Sequence, residues 1–302
     1  MKLSPGSKGL LLALLATLIW SGNFIISRGA AGMIPPVTLA VLRWTCATIL
    51  VIPIGWRHLK QDWPVIRAHW LYYLIIALFS ATGFNTLIYI AGHSTQAVNM
   101  SLISTGGTPL FMLVMSRILW RERVYLRQAL GMLTAFVGVL VLLTGGDIEV
   151  LLSLRFAKGD LWMLVATIMF ASYSLLMLRR PGPTSQLGVF TVTFVVGLLC
   201  LLPLWLLEIH LDPSFAVPSA AAFLKHCLPL GLYLGGLASL AAFFCWNKAI
   251  EYIGAAKAGA IYFTLPAFCG VEALLLLNEP LLPAHFFSAG FIILGVWLAM
   301  RR

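Results

Sequence analysis

Long apolar runs separated by short polar segments make up nearly the whole chain. They predict ten helices, at residues 9–28, 35–56, 70–91, 96–118, 124–144, 159–179, 184–208, 226–248, 254–277 and 282–300. Crossing the hydrocarbon core of a bilayer takes roughly 20 helical residues, and backbone polar groups in lipid must be hydrogen-bonded within the segment. A membrane β-barrel would instead show alternating segments of about ten residues. The pattern therefore predicts an all-α polytopic membrane protein with ten transmembrane helices.

Composition supports this interpretation and excludes several classes of protein. Of 302 residues, 61% are hydrophobic and only 10% are charged, against about 45–50% and about 25% in soluble domains. Disorder, a DNA-binding module and a secreted disulfide scaffold are excluded. The five cysteines are irregularly spaced without a CxxC pair, so we expect small buried residues and no metal site. We find no Walker, HExxH or GxSxG motif, so we predict neither an enzyme nor a cofactor.

The basic residues predict an orientation. The net charge is +10, and 15 of the 20 Lys and Arg residues fall in alternate inter-helix segments and at the two ends of the chain. The positive-inside rule then places both termini in the cytoplasm. No basic cluster lies on a soluble domain, so we expect no nucleic-acid partner.

An internal repeat divides the chain into two halves. A shift of 157 residues places Pro109 on Pro266, Glu122 on Glu279 and Gly138 on Gly295, and a shift of 150 places Gly9 on Gly159. We predict a first five-helix repeat at 1–145, a loop at 146–158 and a second five-helix repeat at 159–302. Because five is odd, the halves enter the membrane from opposite sides. Inverted repeats of this kind are typical of secondary transporters, although a duplicated bundle without transport is the plainer alternative.

Several motifs resemble a known family. They are Trp20-Ser-Gly-Asn-Phe in the first span, then Pro35-Pro36, Arg43-Trp44 and the repeated Pro…Glu…Gly series. The chain resembles the EamA family of ten-helix exporters in the drug/metabolite transporter (DMT) superfamily. This resemblance implies that spans one to four and six to nine surround a central cavity, with spans five and ten at the periphery and a homodimer contact there as one option. It implies a lipid-embedded exporter of amino acids or other small metabolites in the bacterial inner (cytoplasmic) membrane.

The chain departs from the small four-helix relatives of that superfamily. Those proteins use an intramembrane Glu in the first span for proton-coupled efflux of cationic drugs. Here the first span has no acidic residue, and Asn23 is its most polar group. The departure argues against a cation-drug antiporter.

Polar and aromatic side chains inside the spans are the candidates for substrate binding. They are Trp20, Asn23, Asn85, Tyr89, Asn99, Tyr173, Trp246 and Tyr262. Apolar walls with a few placed donors and acceptors suit a small neutral or zwitterionic ligand. The structural alternative is that such side chains bond neighbouring helices or form interfacial belts.

Two charges and two prolines lie within the spans. Arg43 and Glu272 are expensive in lipid unless they are paired or face water, and both lie toward the outer ends of their spans. We expect them to form an ion pair or to share a network, which acts as a gate, as a contact with a substrate charge, or as a packing salt bridge. Pro109 and Pro266 each remove a backbone hydrogen bond, which allows either a hinge or a static kink.

These features predict a secondary-active exporter of a small-molecule substrate that works by alternating access. A lipid-linked sugar flippase of the same superfamily is the first alternative. A membrane-embedded enzyme is the second, and it would need a base, nucleophile or metal cluster that the sequence does not reveal. Substrate identity, coupling ion, direction and oligomeric state are not encoded in recognisable motifs.

Overall fold

The computed structural model describes residues 4–30, 34–92, 94, 97–152, 157–211, 227–277 and 283–300. Its helices are α1 (Pro5–Ala30), α2 (Pro36–Ala68), α3 (Trp70–Gly92), α4 (Ala97–Trp120), α5 (Leu126–Thr144), α6 (Ile148–Leu152), α7 (Lys158–Leu178), α8 (Gln186–Leu211), α9 (Leu228–Ile253), α10 (Ala255–Tyr262), α11 (Leu265–Leu277) and α12 (Pro283–Met300). No strand occurs among these residues. The predicted all-α class is confirmed.

Five of these helices, namely α2, α3, α7, α8 and α9, are long and apolar enough to cross a membrane. Shorter apolar stretches occur at Leu126–Leu142 and Phe286–Met300. Every predicted span coincides with a described helix, or with two helices in the case of 254–277. The chain is a multi-pass membrane protein, and the count of ten spans stays a prediction.

Two segments depart from the predicted boundaries. Helix α2 runs to Ala68 rather than ending at 56, because the polar stretch that follows the apolar run continues the helix. The predicted ninth span is divided at Phe263–Thr264, between α10 and α11. Pro266 lies just after this break, where a missing N–H costs little, whereas Pro109 lies inside the continuous α4. The two matching prolines therefore lie in different structural environments, one near the start of a helix and one inside a helix. Their role as hinges stays a prediction.

Helices α3 and α9 each contain a π-helical segment in the middle of the span. The segments are Leu78–Phe84 and Tyr233–Ala241. If the shift of 157 is extended to this span, residues 78–84 fall on 235–241, which lie within the longer π segment of the second half. A π segment changes which carbonyls are bonded within the helix, and such segments are frequent at functional sites.

Equivalent helices of the two halves pack antiparallel. Near the end of α2, Asp62 accepts hydrogen bonds from the backbone N–H and hydroxyl of Ser185, just before α8, at 2.8 and 2.6 Å. Near the end of α8, Glu208 accepts from the backbone N–H groups of Val37 and Thr38 in the first turn of α2, at 2.8 and 2.7 Å. Each helix thus supplies a carboxylate to the N-terminus of the other, where unpaired N–H groups favour an anion. This is the arrangement that an inverted repeat requires.

Helices α5 and α12 form a second antiparallel pair with very close backbones. A Cβ added to Gly295 would lie 2.5 Å from the backbone nitrogen of Ala135 and 2.5 Å from the carbonyl oxygen of Gly131. Small residues allow this approach, which is how helices associate tightly within lipid. Helix α5 ends at Gly145, whose φ of 65° is the left-handed conformation that closes many helices.

Candidate functional site

A small cavity lies in the middle of the bundle, between the two halves. Its described lining residues are Trp20, Arg43, Phe84, Asn85, Ile88, Phe170 and Tyr262. They come from α1, α2, α3, α7 and α10. Its free volume is about 20 Å³, which is room for about one water molecule. A substrate larger than water therefore requires this cavity to widen.

The π segment of α9 organises one wall of the cavity. The Ala238 carbonyl accepts a hydrogen bond from the Trp20 indole at 2.9 Å and another from Nη2 of Arg43 at 3.1 Å. Nε of Arg43 donates to the Ser239 hydroxyl at 2.7 Å, and that hydroxyl donates to the Leu234 carbonyl five residues earlier. In a π segment the usual pattern of backbone hydrogen bonds is interrupted, so the Ala238 carbonyl can accept from two side chains. Helix α9 thus fixes both the indole and the guanidinium.

The π segment of α3 shapes the facing wall. Phe84 closes that segment, and Asn85 follows it directly. The Asn85 amide donates to the Ser80 carbonyl five residues earlier, at 3.2 Å, and the Thr82 hydroxyl donates to the Gly197 carbonyl of α8 at 3.0 Å. The irregular segment is therefore tied to its own helix and to a neighbour, which holds Phe84 and Asn85 at the cavity.

Aromatic rings fill the space around the cavity. The Trp20 ring centroid lies 5.3 Å from that of Phe170, 5.5 Å from Phe243, 5.5 Å from Trp246 and 6.1 Å from Tyr262. Most of these pairs are edge-to-face, the arrangement that the charge distribution of the rings favours. Trp20 and Phe170 are repeat equivalents, so the two halves meet at this pair.

The structure brings only part of the predicted set to the cavity. Trp20, Asn85 and Tyr262 line it, and the Tyr89 hydroxyl lies 3.4 Å from Nη1 of Arg43. Tyr173 and Trp246 pack against rings of the wall, with their polar atoms bonded to Asn247 at 2.6 Å and Ser174 at 3.0 Å. The side chains of Asn23 and Asn99 lie outside the described residues.

Sequence reasoning missed Phe84, Ile88 and Phe170 as lining residues. Phe170 had a signal, because the repeat places it on Trp20. Phe84 and Ile88 had none, since an apolar residue in an apolar span does not reveal whether it faces lipid or a cavity.

Arg43 and Glu272 have different described partners. Arg43 is fully buried and donates hydrogen bonds to Ser239 and Ala238 of α9. Its guanidinium also lies 5.5 Å from the centre of the Trp44 ring. The Glu272 carboxyl lies against α1, with Oε1 2.9 Å from the Ser21 hydroxyl. Tyr233 lies within electrostatic reach of both charges. Direct pairing of Arg43 with Glu272 stays a prediction.

A group of charged residues joins helix ends at one face of the bundle. Arg179 lies 2.7 Å from Glu122, just beyond α4, and Arg180 lies 3.1 Å from Glu251 near the end of α9. Lys248 lies 2.6 Å from the same Glu251. This face carries many of the basic residues that predict a cytoplasmic side. Exposed ion pairs contribute little to stability. These pairs are useful mainly because they show which helix ends lie next to each other.

Comparison with known proteins gives a consistent result. The EamA-like transporter family matches residues 7–144 and again 157–301. "Uncharacterized transporter YyaM" of Bacillus subtilis (strain 168) is 27% identical over 297 residues, covering 95% of this chain and 92% of that protein. "Probable amino-acid metabolite efflux pump" of Escherichia coli (strain K12) is 21% identical over 292 residues, covering 95% and 93%. A crystal structure with 21% identity has the same fold, with a TM-score of 0.71 over 97% of this chain and 96% of the other.

Proposed function

Since this chain belongs to the EamA-like transporter family, we propose that it is a secondary-active exporter of amino acids or similar small metabolites. It works by alternating access in a bacterial inner membrane, with both termini in the cytoplasm. The observation that carries the proposal is the cavity between the two halves, which combines one buried cation, one amide and several aromatic rings. The name of the E. coli relative supports the same substrate class.

The cavity chemistry fits the two charged groups of an amino acid. A carboxylate forms strong, paired hydrogen bonds with a guanidinium, and Arg43 supplies the one formal charge among the described lining residues. An ammonium group is attracted to the faces of Trp and Tyr rings, which Trp20 and Tyr262 supply. Asn85 offers both a donor and an acceptor. A zwitterion therefore finds a complementary partner for each end.

Transport requires movement of the halves. The free volume holds about one water, so the described conformation encloses no space for an amino acid. The antiparallel arrangement of α2 and α8 supports two halves related by an approximate two-fold axis in the membrane plane. Rocking about such an axis opens the same central site to each side in turn.

The test uses purified full-length protein in liposomes loaded with an equimolar mixture of the twenty L-amino acids. We expect release of a subset, measured by mass spectrometry, above that from protein-free liposomes. Tyr262→Leu and Asn85→Ala should each slow release about tenfold, because the first removes a ring face that attracts the ammonium group and the second removes a hydrogen bond to a charged group, each a loss of about 1.4 kcal/mol.

Tyr252→Leu is the matched control, because Tyr252 is exposed and is not among the described residues that line the cavity. It should release amino acids at the parent rate, and thermal melting should show that all variants fold. Release of no amino acid by the parent protein would exclude this substrate class. Equal rates for all three variants would exclude the cavity as the substrate site.

A further inference from the structure

Glu272 lies in an unusual position at the contact between α11 and α1. Oε1 is 2.9 Å from the hydroxyl of Ser21, and Ser21 is fully buried. Oε2 is also buried, and no hydrogen-bond partner for it occurs in the described part of the chain. A Cβ added to Gly22 would lie 3.6 Å from Oε2, so the carboxyl rests against the bare backbone of α1. An unpaired carboxylate oxygen inside a membrane span is costly and points to a function.

Counting hydrogens at Ser21 gives two possible states for this contact. The Ser21 hydroxyl lies 2.6 Å from the Leu18 carbonyl as well as 2.9 Å from Oε1 of Glu272, yet it carries one hydrogen. If Ser21 donates to Leu18, the carboxyl must supply the hydrogen of the second bond and is protonated. If Glu272 is ionised, Ser21 donates to it and leaves Leu18. One proton on Glu272 therefore decides the direction of the bond that joins α1 to α11, and whether Ser21 also bonds within its own helix.

In the described part of the chain, few other titratable groups surround this carboxyl. Tyr233 faces it from α9, and Cys269 lies one turn away on α11. Arg43 of α2 lies within electrostatic reach of Tyr233. From α1, the described side chains next to it contribute the Ser21 hydroxyl and no charge. Glu272 is the carboxyl among these described groups, and a buried carboxyl can exist as the neutral acid or as the anion.

We propose that Glu272 is the site where a proton binds and leaves during the transport cycle, so that the proton gradient drives export. This inference rests on the proposed function and names its coupling ion. The carboxylate takes a proton from the outer aqueous side when the bundle opens outward. The neutral carboxyl returns that proton to the cytoplasm when the bundle opens inward, and no bond other than O–H forms or breaks.

The neighbouring residue connects this site to the cavity. Ser21 follows Trp20 on α1, and Trp20 lines the cavity while its indole donates to Ala238 of α9. Helix α1 therefore contacts the carboxyl with one residue and the substrate cavity with the next. Because a hydrogen bond to an ionised carboxylate is stronger than one to a neutral carboxyl, gain or loss of this proton changes how firmly α1 is held on α11. Proton binding and cavity opening are linked through this helix.

The first experiment imposes a pH gradient on liposomes loaded with the twenty L-amino acids. For exchange of one proton per amino acid, one pH unit supports about tenfold accumulation at equilibrium. We expect the parent protein to show this response and Glu272→Gln to show equal concentrations on both sides, because glutamine keeps the shape without a titratable proton. Glu149→Gln is the matched control, since Glu149 is exposed in the short helix α6, and should match the parent.

The second experiment detects the proton directly and does not depend on transport. Infrared difference spectra between acidic and alkaline pH should contain a protonated-carboxyl carbonyl band that Glu272→Gln removes and Glu149→Gln retains. If Glu272→Gln leaves every such band in place, the proposal is wrong whether or not amino acids move. If the band is present but the parent and Glu272→Gln respond equally to the pH gradient, coupling through Glu272 is also excluded. If the parent moves no amino acid, the substrate class fails, and the infrared result alone decides the proton site.

Discussion

Arg43 shows how far a single residue can be interpreted from sequence. Its position in an apolar run predicts a buried charge with a role, and the structure places it in the cavity wall, fully buried. Two of its described hydrogen-bond acceptors, the Ser239 hydroxyl and the Ala238 carbonyl, lie within the π segment of α9. Neither was predictable, because hydrophobic patterning does not report a local change of helical register. The residue was foreseeable and its partners were not.

We predict that Arg43→Gln slows amino acid release from liposomes at least tenfold, mainly through a higher KM. The reason is that a charged hydrogen bond to the substrate carboxylate is worth about 1.5–3 kcal/mol. Arg43→Lys should recover part of the rate, since lysine keeps the charge and loses the planar fork. Initial rates over a range of internal amino acid concentrations separate KM from maximal rate.

Arg67→Gln is the control for this series, because it removes one positive charge from an exposed position near the end of α2. It should behave like the parent. An Arg43→Gln variant that folds and keeps the parent KM would contradict the assignment of Arg43 to the substrate carboxylate.

At the scale of elements, apolar runs located the helices well and their interruptions poorly. The approximate position of every described span follows from the position and length of its apolar run in the sequence. The end of α2, the break at Phe263–Thr264 and the two π segments do not, because each depends on contacts made after folding. The glycines of α5 and α12 were different. Gly138 and Gly295 were visible as repeat equivalents, and their close backbone contacts give the physical reason for small residues there.

We predict that Gly295→Ala lowers the melting temperature of the purified protein, whereas Gly290→Ala on the same helix does not. A methyl group at 295 meets the backbone of α5 at 2.5 Å, so the two helices must separate. At 290 an added Cβ has nothing within 4 Å, and alanine favours a helix by about 1 kcal/mol over glycine. Thermal melting in one detergent compares the pair. Equal melting temperatures would show that the α5–α12 contact tolerates separation.

At the scale of the whole molecule, the repeat predicted more than any single motif did. It anticipated that equivalent helices run in opposite directions, and the carboxylates of Asp62 and Glu208 at opposite ends of α2 and α8 show this arrangement. Extended to α3 and α9, it also explains why the two π segments overlap in register. The repeat does not predict how far the central cavity is open. The reason is that the same two halves can pack together in more than one relative position. Cavity size depends on tertiary packing, and no periodicity encodes it.

The direction of the whole bundle across the membrane is a further prediction, and α4 offers a sharp test. Ser94 lies before this helix and Arg123 after it, and both positions are exposed. The distribution of Lys and Arg places residue 94 outside and residue 123 in the cytoplasm. With the five native cysteines replaced, an impermeant maleimide added to intact cells should label Ser94→Cys and leave Arg123→Cys unlabelled. Both should react after permeabilisation, which controls for accessibility. The reverse pattern would invert the whole bundle, and with it the side from which Glu272 takes its proton.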